Sequence, residues 1–202
     1  MDSETDSESV ARLEACLVTL ATVTGRAAAA QKKLLATAES CTGGAIARAL
    51  TETAGSSEWF DRAFVTYSNQ AKSEMLSVPA PLIVEHGAVS EAVARAMAHG
   101  AMTASGASVT MAVTGVAGPG GGSVEKPVGT VWFGWARREA QGAITLTSQR
   151  VQFDGDRQTV RLRTALHSLS VTYQALSGEL PNGLAVDCLG GPDWPRPPTE
   201  KS

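Results

Sequence analysis

Cysteine is scarce in this chain. Three occur in 202 residues, Cys16, Cys41 and Cys188, widely separated and without a Cys-x-x-Cys pair. The pattern excludes a zinc ribbon and predicts reduced thiols with no disulfide framework, the habit of a cytoplasmic protein. Histidine is equally sparse. His86, His99 and His167 form no ligand-spaced pair, so no protein-held metal is expected. Positive charge is not in excess either: 17 Lys and Arg face 20 Asp and Glu, a formal net charge of −3. That leaves no basic field for nucleic acid or an anionic membrane. Although 43% of the residues are apolar, no uninterrupted apolar run is long enough to cross a bilayer. The start, Met1-Asp2-Ser3-Glu4-Thr5-Asp6, is acidic, the opposite of a secretory or transit signal.

What is present is enough length for one filled core and a clear order of elements. From Glu8 to Lys33, Val10, Leu13, Leu17 and Leu20 recur at helical spacing, so residues 1–33 read as a helix packing on the domain. Gly25 is placed to bend or divide it. Leu34-Leu35-Ala36 reads as a strand, and Ala45–Leu50 as a helix ending by Gly55. Phe64–Ser68 alternates as a strand should, and Asn69 is placed to cap a helix carrying Ala71, Lys72, Met75 and Leu76, which Pro79 and Pro81 interrupt. Ser90 caps a further helix that stops at Gly106, and Val109–Val113 is a buried strand. Val128–Ala136 and Ala143–Phe153 read as an antiparallel strand pair, after which Asp154-Gly155-Asp156 opens a long helix to about Leu176. Residues 178–202 hold five prolines and four glycines without periodicity and read as a tail. The expected fold class is therefore α/β. It is a single-domain, layered α/β/α sandwich over residues 34–177, with a mixed, mostly parallel sheet and an antiparallel pair near the C-terminal end.

The richest stretch is Thr37-Ala38-Glu39-Ser40-Cys41-Thr42-Gly43-Gly44, an apolar strand running through small hydroxyl and glycine residues into a helix. A sharp strand–helix corner would lift Ser40 and aim the N–H groups of Thr42, Gly43 and Gly44 at whatever lies beside it. Free amides at a helix start stabilise negative charge, so the turn suits an oxyanion or a phosphate. Ligands in open α/β sheets collect beyond the carboxyl ends of strands. Three such ends carry small or polar residues: Ser40–Gly44, Tyr67–Lys72 and Thr114–Gly122. The glycines of the third do not make a nucleoside-triphosphate loop, because Gly-x-x-x-x-Gly-Lys-Ser/Thr is absent and a strand follows. Thr114, Gly115 and nearby amides suit one phosphate or a ribose. Arg157 near a helix start suits either that phosphate or an acidic side chain, and Glu39 either orients a lysine or caps backbone groups; both stay open.

Ala38–Gly44, Gly55-Ser56-Ser57-Glu58-Trp59-Phe60, Phe64–Lys72, His86-Gly87-Ala88-Val89-Ser90, Thr114–Pro119, Glu125–Val131 and Phe153-Asp154-Gly155-Asp156-Arg157 together closely resemble the CinA C-terminal domain family. The resemblance runs in order from about Leu34 to Leu176. It implies a bacterial nicotinamide-nucleotide amidase: a metal-independent serine amidohydrolase that turns nicotinamide mononucleotide into nicotinate mononucleotide and ammonia, with no cofactor. It also implies Ser40 as nucleophile and Lys72 as base, with Tyr67 in the same motif. Thr42, Gly43, Gly44, Asn69, Thr114, Gly115 and Arg157 are the candidate substrate contacts. The chemistry fits, since a serine hydroxyl needs a base and a lysine can serve only when burial or a nearby positive charge lowers its pKa. Cys41 reads as a small buried residue and His86 as part of a turn. The expected partner is a small-molecule nucleotide, with neither nucleic acid nor membrane, and a homo-oligomer is left open. Two other readings remain: a non-catalytic nucleotide-binding module of a competence or damage response, and an amidase for another small amide.

Overall fold

The computed structural model describes residues 2–179, and the expected tail lies outside the described residues from 180 onward. Helix α1 (Asp2–Ala30) leads into strand β1 (Leu35–Glu39), helix α2 (Ala45–Thr51), a 3-10 turn (Ser56–Glu58) and strand β2 (Phe60–Val65). Helices α3 (Asn69–Leu76), α4 (Ala80–His86) and α5 (Glu91–Thr103) follow, then strands β3 (Val109–Gly115), β4 (Thr130–Arg138) and β5 (Ile144–Gln152), and helix α6 (Arg157–Ser177). The sheet order is β2-β1-β3-β4-β5. β1 pairs in parallel with β2 and β3, whereas β4 is antiparallel to both β3 and β5. Four strands thus point one way and β4 alone runs against them, the mixed, mostly parallel sheet that the element order predicts.

Alternation of side chains builds the two outer layers. On β3, Val109, Met111 and Val113 join one core with Leu17 and Leu20 of α1, Ile46 and Leu50 of α2, and Leu166 and Leu169 of α6. Ala112 of β3 and Ala38 of β1 face the opposite core, with Val93, Met97 and Ala101 of α5 and Leu76 of α3. On β1 the same alternation sends Leu35, Thr37 and Glu39 toward the α2 and α6 layer. The next residue, Ser40, falls toward α3. Gly134 lets α5 lie directly on the sheet, because a Cβ there would collide with the Ala94 carbonyl.

Several expectations are corrected. Gly25 does not divide α1; the Trp59 ring packs where its Cβ would be. Ser68, not Asn69, caps α3, its hydroxyl accepting from the Ala71 N–H at 3.0 Å. β2 begins at Phe60, four residues earlier than expected, because it pairs with the whole length of β1. Pro79 and Pro81 start α4 rather than merely ending α3, since proline suits a first turn whose N–H groups have no intrahelical partner. Cys16 is disulfide-bonded, which overturns the expectation of reduced thiols alone. Cys41 is free. Val10–Ala30 is long and apolar enough to cross a membrane by composition, an option that a search for uninterrupted runs misses. In this fold its Leu17, Leu20, Ala21 and Thr24 are buried in the domain.

Candidate active site

Ser40 sits just past the end of β1, its N–H donating to the Val113 carbonyl of β3 at 3.1 Å. The corner after it is held by Glu39. This carboxylate is fully buried, and no ion pair with it is formed among the described residues. Its Oε1 accepts from the Thr37 hydroxyl (3.2 Å) and the Ala47 N–H (2.9 Å), and its Oε2 from the Thr42 hydroxyl (2.7 Å), the Gly44 N–H (2.9 Å) and the Ile46 N–H (3.2 Å). Glu39 thereby serves the amides that open α2, and negative charge belongs at that end of the helix. The capping reading of Glu39 is the one realised. Gly43 and Gly44 both take positive φ, 61° and 95°, which lets the chain turn back within this short corner.

The amides of the corner are not all available. The Gly43 N–H donates to the Ser40 carbonyl at 3.1 Å, and that of Gly44 to Glu39. This corrects the expectation that Thr42, Gly43 and Gly44 all present free donors. Within the corner, the N–H groups of Cys41 and Thr42 donate to no other residue among the described residues.

Glu39→Gln is accordingly expected to destabilise the protein by roughly 2–3 kcal/mol, because a buried carboxamide presents N–H₂ to donors that then lack an acceptor. Whichever way the amide is turned, at least one backbone N–H of α2 faces it. Turnover should fall with stability, since the corner carries Ser40. A thermal melt equal to that of the parent protein would show that the cap does not matter.

Lys72 comes from α3 and is 1% exposed, one of the largest fully buried side chains. Its Nζ lies 3.1 Å from Ser40 Oγ, 2.8 Å from the Thr66 carbonyl and 3.3 Å from the Tyr67 carbonyl. Carbonyls only accept. A neutral amine therefore spends its two hydrogens on Thr66 and Tyr67, and its lone pair is left facing the Ser40 hydroxyl. Burial holds the Lys72 ammonium below the ordinary lysine range, with the nearby Cys41 acting weakly the other way. Cys41 itself is buried, and burial pushes its thiol up to about 12. It stays protonated and is no nucleophile.

These groups open into a cavity of about 270 Å³, lined by Ser40, Tyr67, Lys72, Thr114, Gly115 and Arg157 among others. Tyr67 is 62% exposed. Its phenol accepts from Arg157 Nη2 at 3.2 Å, so it reaches Lys72 through its carbonyl and not its hydroxyl. Arg157 Nη1 donates to the Gly118 carbonyl at 2.8 Å, and no carboxylate pairs with Arg157 among the described residues. The Thr114 hydroxyl donates to the Ala88 carbonyl at 2.9 Å, and Gly115 has no room for a Cβ beside Thr130 and Val131. Asn69 is exposed and does not line the cavity. Sequence reasoning missed Arg161, whose Nη2 donates to the Thr42 carbonyl at 2.8 Å. Its signal was readable: four residues after Arg157 on a helix, it shares that residue's face.

Residues 17–176 match the sequence model of the CinA C-terminal domain. The nicotinamide-nucleotide amidohydrolase PncC of Enterobacter agglomerans is 55% identical over 137 residues, which cover 68% of this chain and 81% of that protein. The protein of the same name from Escherichia coli K12 is 46% identical over 158 residues, 78% of this chain and 93% of the other. Among solved structures, the competence/damage inducible protein CihA of Agrobacterium tumefaciens superposes with a TM-score of 0.73 at 44% identity, over 80% of this chain and 95% of that one.

Proposed function

The chain belongs to the CinA C-terminal domain family, and on that premise we propose that it hydrolyses the carboxamide of nicotinamide mononucleotide, giving nicotinate mononucleotide and ammonia. The observation that carries this reading is the contact between the buried Lys72 amine and Ser40 Oγ at 3.1 Å.

Neutral Lys72 takes the Ser40 proton as Oγ attacks the carboxamide carbon, forming the new C–O bond. The carbonyl π electrons move onto oxygen, and the Cys41 and Thr42 N–H groups stabilise that oxyanion. The Lys72 ammonium then returns its proton to the carboxamide nitrogen. The C–N bond breaks, ammonia leaves, and an ester joins Ser40 to the nicotinate nucleotide. Water attacks that ester and gives one proton to Lys72; the C–Oγ bond then breaks, Lys72 returns that proton to Ser40 Oγ, and the nicotinate product leaves as a carboxylate, its own proton passing to solvent. Glu39 keeps the corner in shape, and Arg157 with Tyr67 closes one wall of the cavity. Thr114 and Gly115 form the floor against which the substrate is held, and Asn69 takes no part.

Nucleophile, base and oxyanion donors all come from the chain, so ammonia release from nicotinamide mononucleotide should persist in excess metal chelator. A panel of small amides assayed alongside identifies the substrate. Activity that vanishes with chelator and returns with zinc overturns this mechanism, and preferred turnover of an unrelated amide overturns the substrate.

A further inference from the structure

A second and larger cavity, of about 490 Å³, shares Arg157 with the catalytic one. Its wall combines three guanidinium groups, Arg48 of α2 and Arg157 and Arg161 of α6. Two carboxylates also line it, Glu14 and Asp156. Asp156 is committed to the first turn of α6, where it accepts from the Thr159 N–H at 2.8 Å. Arg48 reaches Glu52 only at 3.9 Å, with both side chains about half exposed. Arg161 gives one N–H to the Thr42 carbonyl, while its Nε is buried without a partner.

We propose that this arginine-lined cavity is a phosphate-monoester site, and that it receives the 5′-phosphate of the nucleotide whose carboxamide is cleaved at Ser40. The inference rests on the amidase reading above and deepens it. A nucleotide with its amide at Ser40 carries its phosphate at the far end of the ribose. Arg157 borders both cavities, so the path from one to the other runs along that side chain. Guanidinium groups match phosphate oxygens in geometry and keep their charge at every working pH. Beside the glycine loop at Gly118–Gly121 stands one guanidinium, Arg157, whereas the second cavity gathers three. Binding there also bears on the chemistry, because Arg161 holds the Thr42 carbonyl of the corner that presents the oxyanion donors. A phosphate seated on Arg161 fixes that corner from behind, so remote binding supports the reacting end.

Arg48→Met is the cleanest test, since its pairing with Glu52 is an exposed one of little worth to stability. The variant and its parent are assayed with nicotinamide mononucleotide and with nicotinamide riboside, which lacks the phosphate. We expect KM for the mononucleotide to rise about tenfold with kcat little changed, and the preference for mononucleotide over riboside to fall by the same factor. Inorganic phosphate should inhibit the parent competitively and the variant about tenfold more weakly. An unaltered preference in Arg48→Met, with the parent fully active on the mononucleotide, overturns the site and moves the phosphate to the glycine loop. Equal losses on both substrates overturn it as well, showing that Arg48 acts on the fold. If the parent does not cleave the mononucleotide at all, the amidase reading itself fails. Phosphate binding followed by calorimetry in parent and Arg48→Met then decides the site independently.

Discussion

Ser40→Ala is expected to lower kcat for nicotinamide mononucleotide by several orders of magnitude while leaving the melting temperature and substrate affinity close to those of the parent. The reason is local. The hydroxyl is the only part of the residue that reacts, and its backbone N–H keeps its bond to the Val113 carbonyl in the variant. The corner is maintained by Glu39 and by the two left-handed glycines, none of which touches Oγ. The Cys41 and Thr42 amides survive, so substrate still binds and a residual rate above that in water persists. Cys41→Ala, one residue away, should cost little activity, because a thiol pushed up to about 12 supplies no thiolate near neutrality. Steady-state kinetics of the two variants with a thermal melt of each settle the assignment. A dead Cys41→Ala beside an active Ser40→Ala makes this a thiol enzyme.

The pairing of Ser40 with Lys72 illustrates what a sequence can and cannot display. Both residues stand at strand ends where an α/β sheet gathers its ligands, but their roles as nucleophile and base came with the family resemblance. Their separation of 3.1 Å was not legible, because it depends on β2 lying beside β1 and on α3 folding back over that pair. Glu39 shows the reverse case. Strand alternation already sends its side chain to the face opposite Ser40, and three of its five donors could have been anticipated from the unpaired amides that open any helix. The expectation of three free amides failed for the same reason, since a buried carboxylate and the Ser40 carbonyl had prior claim on two of them. The boundaries of β2 and α4 were hidden for another reason. Pairing with β1 extends one, and a proline-started first turn makes the other, neither of which shows in apolar periodicity. Arg161 went unseen because its partner is a backbone carbonyl more than a hundred residues away.

Lys72 yields the second large effect. As a base it must be neutral before catalysis, and burial holds its pKa below the ordinary lysine range. Below that depressed pKa the amine is protonated and cannot accept from Ser40, so activity should be low, rise as pH passes through it, and level off above. Lys72→Met keeps the apolar stem in a space that is 1% exposed, and its kcat should collapse. Lys72→Arg should be nearly as inactive, because a guanidinium does not release its proton at working pH. Stability carries the same signature with a definite sign. The unfolded lysine titrates near its unperturbed value of about 10.4, so between the folded pKa and that value the unfolded state binds more protons. Stability of the parent therefore rises with pH across that window, and in Lys72→Met this contribution disappears. The Met variant leaves the Thr66 and Tyr67 carbonyls without their donor, at a cost of about 1–3 kcal/mol, which is offset in part by no longer burying an ionisable amine. Melts of parent and Lys72→Met at several pH values, run beside the pH–rate profile, read both effects from one residue. Near-normal turnover in Lys72→Arg would mean that the side chain supplies only positive charge. The proton from Ser40 would then have to pass to a group on the open side of the cavity, where the Tyr67 phenol stands against Arg157.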